Sequence, residues 1–110
     1  MDSSLADLGR RIYERAHLTG EFRLRSGTIS DEYFDKYRFE SEPDLFAEIA
    51  GAVARLLPAD VDAVAGLELG GVPIATMVSQ ASGLPTRFVR KEPKEYGTRR
   101  LAEGGDVTGL

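Results

Sequence analysis

Cysteine and tryptophan are absent from the chain, and histidine occurs once. Without cysteine, a disulfide scaffold, an Fe–S cluster, a Cys-based zinc site and a cysteine nucleophile are all excluded. The lone imidazole, His17, cannot build a His-rich metal site or stand as evidence of a triad. It is read as structural or exposed, near the end of a predicted helix, where a cationic side chain is favoured without any function. No apolar run approaches the length of a membrane span. Met1-Asp2-Ser3-Ser4 has no basic region followed by an apolar one, so secretion is not indicated and a cytoplasmic location is expected. No Walker loop, Gly-x-Gly-x-x-Gly, Gly-x-Ser-x-Gly elbow, EF-hand spacing or His-Glu-x-x-His occurs, and no metal ligands are assigned. A net charge of −4 argues against general attraction to nucleic acid. What remains is 110 residues, 42% apolar and 29% charged: one small domain, or a piece of a larger one.

The charge is unevenly distributed. Residues 87–100 carry six basic side chains (Arg87, Arg90, Lys91, Lys94, Arg99, Arg100) against two acidic ones (Glu92, Glu95). A basic island on an acidic chain suits a local anionic ligand; a solvated charged loop is the plain alternative.

Periodicity supplies the frame. Leu5, Leu8, Ile12 and Ala16 predict an amphipathic helix over 4–18, capped by Ser3 or Ser4 and braced by Asp7 and Arg11 four residues apart. Residues 21–25 alternate, Ser26-Gly27 is turn chemistry, and the aromatic-rich stretch 33–39 reads as extended, so a β-hairpin or two short strands joined by a loop are expected. A second helix covers about 43–57, opened by Pro43 and Asp44 and stopped by Pro58. A strand over 61–67, a glycine turn, a helix over 72–82 ending at Gly83, and a strand over 85–90 make a βαβ unit with parallel pairing. Residues 91–106 read as a loop, and residues 103–110 as a turn leading into a further apolar strand. A two-stranded parallel sheet is not a usual finished domain, so 1–110 is expected to be a single incomplete domain. A short domain that completes its sheet by dimerisation is the alternative. Within it, 1–40 forms the hairpin region and 41–110 the first part of an α/β core with a flexible loop over 91–106.

Two segments carry candidate chemistry. Leu69-Gly70-Gly71-Val72 sits at a strand-to-helix turn, where glycine lets backbone approach an anion and the helix presents its positive end. Taken alone this is weak, because such turns often contain glycine merely to reverse the chain. Arg90-Lys91-Glu92-Pro93-Lys94-Glu95-Tyr96-Gly97-Thr98-Arg99-Arg100 begins at the carboxyl end of a predicted parallel strand, where open α/β sheets bind ligands. Arg90 and Lys91 adjoin the strand, whereas Lys94 lies on a segment with Gly97. Fixed and mobile cations together suit a substrate with several phosphates.

Arg90-Lys91-Glu92-Pro93-Lys94-Glu95-Tyr96-Gly97 resembles the flexible catalytic loop of orotate phosphoribosyltransferases. Leu67-Glu68-Leu69-Gly70-Gly71-Val72-Pro73-Ile74-Ala75 is similar to that family's pyrophosphate-binding turn. Phe22-Arg23-Leu24-Arg25-Ser26-Gly27 with Tyr33-Phe34 resembles its N-terminal substrate-contacting region. The three matches come in family order over about residues 15–106.

The resemblance implies an N-terminal helix and β-hairpin region, followed by the start of a Rossmann-like parallel-sheet core, truncated. It implies an enzyme of pyrimidine (UMP) biosynthesis that transfers ribose 5-phosphate from 5-phosphoribosyl 1-diphosphate to orotate, giving orotidine 5′-phosphate and diphosphate. Mg²⁺ accompanies the donor. Arg90, Lys91, Lys94, Tyr96, Gly70 and Gly71 are the implied donor contacts, with Lys94 catalytic. Arg25, Tyr33 and Phe34 are implied at or near orotate. A homodimer is also implied, with loop 91–106 reaching the partner's site; neither nucleic acid nor membrane is an expected partner.

Several departures matter. Tyr96 stands where members carry His or Tyr, and it cannot supply an imidazolium charge. Arg25 replaces a frequent Lys, keeping the charge with a different geometry. Gly70 aligns with a Lys of some members, leaving only backbone contacts. The acidic pair and Thr/Gly-rich phosphate loop that grip the donor, and a later orotate-recognising Arg, do not occur in these 110 residues. The 110-residue chain by itself is therefore expected to be inactive. The alternative function is a non-catalytic phosphoribosyltransferase-like regulator or an interaction domain.

Overall fold

The computed structural model describes residues 3–110. They form two compact units, divided between Glu48 and Ile49, with a helix running across the boundary.

In the first unit, α1 (Ser3–Ala16) already includes Ser3 and Ser4, so neither is the residue flanking its start as the cap reading expected, and the position before Ser3 lies outside the described residues. The predicted Asp7 and Arg11 pair forms, with Nε donating to Oδ2 at 3.0 Å. The helix ends at Ala16, two residues earlier than its apolar period suggests, because the chain turns into β1 (His17–Arg23). His17 is thus a strand residue rather than a helical one. Its ring stacks on Tyr13 at 4.5 Å, and its Nε2 lies 2.9 Å from Glu32 Oε2. β1 pairs antiparallel with β2 (Ile29–Phe34), His17 opposite Phe34 and Arg23 opposite Ile29, with the register slipping between Thr19 and Phe22. A hairpin is thus formed as expected, with its strands starting at His17 and Ile29 rather than at residues 21 and 33.

The extended reading of 33–39 holds only as far as Phe34. Asp35 then caps α2 (Lys36–Glu40), its carboxylate accepting from the Tyr37 amide at 3.1 Å. The cap overrides the strand preference of Tyr37 and Phe39. Phe39 is turned inward, and Leu8, Ala16, Leu45 and Phe46 are the unit's other buried apolar side chains. α3 (Pro43–Leu56) opens on Pro43 with Asp44 in its first turn, as read.

Glu40 closes α2 with Oε1 buried and unpartnered. Burial pushes its carboxyl above the ordinary range. The folded state therefore binds this proton more readily than the unfolded state. Ionised Glu40 opposes folding at neutral pH, and the penalty vanishes as pH falls below both pKa values. Glu40→Gln in the full-length gene product is expected to raise Tm at pH 7 by about 1–3 °C, with the gain fading toward about pH 4. Paired thermal melts check this, and an equal gain at both pH values would contradict it.

The second unit is built on β3 (Val64–Leu67), α4 (Val72–Ser82) and β4 (Thr86–Val89). Both strands pair in parallel, Val64 opposite Thr86 and Leu67 opposite Val89, and α4 packs on them as the crossover. α4 has the predicted bounds: Pro73 lies in its first turn, and Gly83 ends it in the left-handed conformation (φ 78°). Ile49, Ala50, Ala75 and Val78 are buried.

Two expectations need correction. The loop 91–106 contains β5 (Ala102–Glu103), antiparallel to β4, with Phe88 opposite Glu103 and Val89 opposite Ala102. The sheet is therefore mixed and three-stranded, in the order β3-β4-β5. Residues 104–110 form turns, not the expected strand. Among the described residues, no helix is long and apolar enough to cross a membrane.

Candidate active site

The parallel register of β3 and β4 places two chain exits side by side. Leu67 and Val89 are partners at the carboxyl ends of their strands. Past Leu67 the chain enters the glycine turn 68–71, and past Val89 it enters the basic loop at Arg90. The two segments are joined directly. The Glu68 amide donates to Val89 O at 2.8 Å, and the Glu68 carboxylate accepts from the Lys91 amide at 2.6 Å. Sequence reading treated Glu68 only as part of a motif; its role as a tie between turn and loop depends on strand register, which local pattern does not encode.

The turn folds back closely on its strand. The Gly71 amide donates to Leu67 O at 2.9 Å, the Val72 amide to Leu69 O at 3.0 Å, and the Ala75 amide to Gly71 O at 3.1 Å. The Glu68-Leu69 peptide is cis. Gly66, which sequence reading did not single out, makes the fold-back possible: a Cβ there would lie 2.2 Å from Gly71 O and 2.9 Å from Ala75 Cβ. A Cβ on Gly71 would lie 2.8 Å from the Leu67 nitrogen. Gly70, half-buried, lies between Leu69 and Gly71 in this turn, and α4 begins at Val72 with no side-chain cap on its N-terminus.

The basic loop is closed by backbone pairing beyond the short strand. The Arg90 amide donates to Leu101 O at 2.8 Å, and the Lys94 amide to Arg100 O at 3.4 Å. Arg90 and Lys94 converge on Glu103, their Nε and Nζ atoms 3.1 and 3.2 Å from Oε2. Thr98 Oγ1 donates to Oε1 of the same carboxylate at 3.0 Å. The Lys94 ammonium, and then Arg90 and Thr98, hold the Glu103 carboxyl below its usual range against a smaller opposing effect of burial. Lys94 Nζ also lies 5.2 Å from the Tyr96 ring centroid, a cation–π contact. Gly97 (φ 60°) lets the Lys94 stem pass, since a Cβ there would sit 3.3 Å from Lys94 Cε. The Lys91 side chain and Tyr96 are exposed.

The other three residues named from sequence lie in the first unit. Arg25 is exposed at the hairpin tip, where the Leu24 amide donates to Thr28 O and the Gly27 amide to Leu24 O, both at 2.9 Å. Tyr33 stacks on Phe22 at 5.5 Å, and Phe34 meets Phe39 at 6.3 Å in a tilted arrangement. The structure thus gathers Gly70, Gly71, Arg90, Lys91, Lys94 and Tyr96 in one unit and Arg25, Tyr33 and Phe34 in the other.

No family model matches the chain. Individual proteins do. Over 104 residues it is 55% identical to an orotate phosphoribosyltransferase of Nocardioides sp., covering 94% of this chain and 58% of that relative. Among solved structures, the orotate phosphoribosyltransferase of Mycobacterium tuberculosis H37Rv in complex with Fe(III) dicitrate superposes with a TM-score of 0.73 at 36% identity, covering 94% of this chain and 61% of that one. Over the stretch it spans, the chain is matched by orotate phosphoribosyltransferases in both sequence and structure. That stretch is a little under two thirds of its relatives' length. The Mycobacterium tuberculosis H37Rv protein has also been solved in complex with 5-phospho-alpha-D-ribosyl 1-diphosphate; there the TM-score is 0.65 at 31% identity, covering 94% of this chain and 58% of that one. The fold shared with these structures accounts for the mixed α/β architecture described above.

Proposed function

We propose that the full-length gene product transfers ribose 5-phosphate from 5-phosphoribosyl 1-diphosphate to orotate, yielding orotidine 5′-phosphate and diphosphate, as a step in UMP synthesis. The observation that carries this reading is the adjacency of the glycine turn and the Arg90, Lys91 and Lys94 loop at the carboxyl ends of two paired parallel strands. Amides and cations there suit the diphosphate group. As the bond from the sugar carbon to diphosphate breaks, the sugar gains oxocarbenium character and negative charge grows on the leaving group. Cations placed there stabilise the transition state more than the ground state. Lys94 is the proposed catalytic cation; Arg90, Lys91, Gly70, Gly71 and Tyr96 are proposed donor contacts. Arg25, Tyr33 and Phe34 are proposed to lie at or near orotate.

Mg²⁺ is proposed to enter with the diphosphate and offset its charge. The donor set at this site is cationic and amide-based, which fits an anion that carries its own metal, and no residue of this chain is assigned to the ion. The proposal extends to a cytoplasmic homodimer in which loop 91–106 reaches the partner's site.

The test is formation of orotidine 5′-phosphate and diphosphate by the full-length gene product when offered orotate, hypoxanthine or adenine with the donor. Orotate is expected to react and the purines not to substitute for it. Comparable turnover with a purine would overturn the base assignment, and no turnover with any base would favour a non-catalytic regulator.

A further inference from the structure

The basic loop is held shut by its own counter-ion. Glu103 sits on β5, the returning stem of the loop, and its carboxylate takes both Arg90 and Lys94 on Oε2 and Thr98 on Oε1. Lys94 and Glu103 are among the least exposed charged side chains of the loop, at 18% and 21%. The cation proposed to meet the diphosphate is therefore folded back onto the stem and already neutralised. It cannot contact a ligand with full strength while that pair persists.

From this geometry we infer that Glu103 is a positioning residue that holds Lys94 in reserve and surrenders it to an incoming diphosphate. The inference rests on the diphosphate reading of this site. The exchange is chemically sound in both directions. A diphosphate offers several charged oxygens where Glu103 offers one shared oxygen, so Lys94 gains charge-assisted hydrogen bonds on transfer. When Lys94 leaves, Glu103 keeps Arg90 and Thr98, so no charged group is stranded without a partner, which would otherwise be costly. Gly97, at positive φ beside the Lys94 stem, and Pro93 on the other side mark where the segment can swing.

The probe is inorganic pyrophosphate with Mg²⁺, titrated calorimetrically into the full-length protein and its Glu103→Gln variant. Ligand-free hydrogen exchange of the loop amides is measured alongside. Glu103→Gln keeps the shape and removes the competing charge. It is expected to bind pyrophosphate about two- to fivefold more tightly, the range for loss of one partly exposed ion pair, and to exchange faster over residues 94–100. The tightening should vanish when Lys94 is already alanine, because Glu103 acts through Lys94. Glu103→Ala, which removes the same competing charge together with its stem, should shift affinity in the same direction, and it decides the matter if Glu103→Gln does not fold. Equal or weaker pyrophosphate binding by the variant that folds, or tightening that survives without Lys94, would overturn the inference. Absence of pyrophosphate binding by the unsubstituted protein would instead overturn the diphosphate reading, and it is read on a different sample.

Discussion

Lys94→Ala in the full-length gene product is expected to lower kcat for orotidine 5′-phosphate formation by about 10²–10³-fold, the scale of removing one electrostatic donor from a transition state. Donor affinity should fall far less. Arg90 adjoins β4, and Lys91 is anchored through its amide to Glu68, whereas Lys94, its side chain held on Glu103, lies further along the loop between Pro93 and Gly97. A cation that arrives late contributes most when diphosphate charge develops, so its loss falls on the chemical step. Steady-state kinetics decide this: a raised KM with unchanged kcat would make Lys94 a ground-state contact only. If the loop serves a neighbouring subunit, mixing Lys94→Ala subunits with subunits disabled in donor binding should restore activity in heterodimers.

Gly66→Ala is expected to be the most damaging single-methyl change in the second unit. Its Cβ would come 2.2 Å from the Gly71 carbonyl oxygen, which is backbone and already accepts the Ala75 amide. Relief requires moving the glycine turn or the start of α4. The stability cost should be about 2–3 kcal/mol, toward the upper end for overpacking, and donor binding should weaken more than tenfold as the turn shifts. Gly9→Ala is the control: it lies inside α1 with nothing within 4 Å of the added methyl, so it should stabilise by about 0.5–1 kcal/mol. Thermal melts and donor titration of both variants test the contrast. Indistinguishable melts would show that the turn accommodates a side chain at position 66.

The parts of this fold legible in sequence are those with local punctuation. Pro73 and Gly83 bracket α4, and Pro43 with Asp44 opens α3 at its observed start. The βαβ unit follows from their spacing, and with it the placement of Arg90 and Gly70 at neighbouring strand ends. What was illegible depends on partners distant in the chain. Leu18 continues the apolar period of α1, yet it pairs with Tyr33 in the hairpin. Tyr37 and Phe39 have strand-forming side chains, yet the Asp35 cap starts a helix there. β5 is two residues long and exists only through β4. Glu68 and Glu103 passed unremarked for the same reason, since one gains its role across the parallel register and the other across the antiparallel one. In sequence Glu103 is only an acid after a basic run, and Glu68 only an acid beside a glycine turn.

The central claim is that the glycine turn and the basic loop of the second unit together receive the diphosphate group of the donor. Hydrogen exchange of the full-length gene product, with and without 5-phosphoribosyl 1-diphosphate and Mg²⁺, tests it most directly, with ribose 5-phosphate as the ligand lacking diphosphate. The account predicts protection of amides in both 68–72 and 90–100 by the diphosphate donor, and little in either by ribose 5-phosphate. Donor binding that protects neither segment, or equal protection by ribose 5-phosphate, would contradict it.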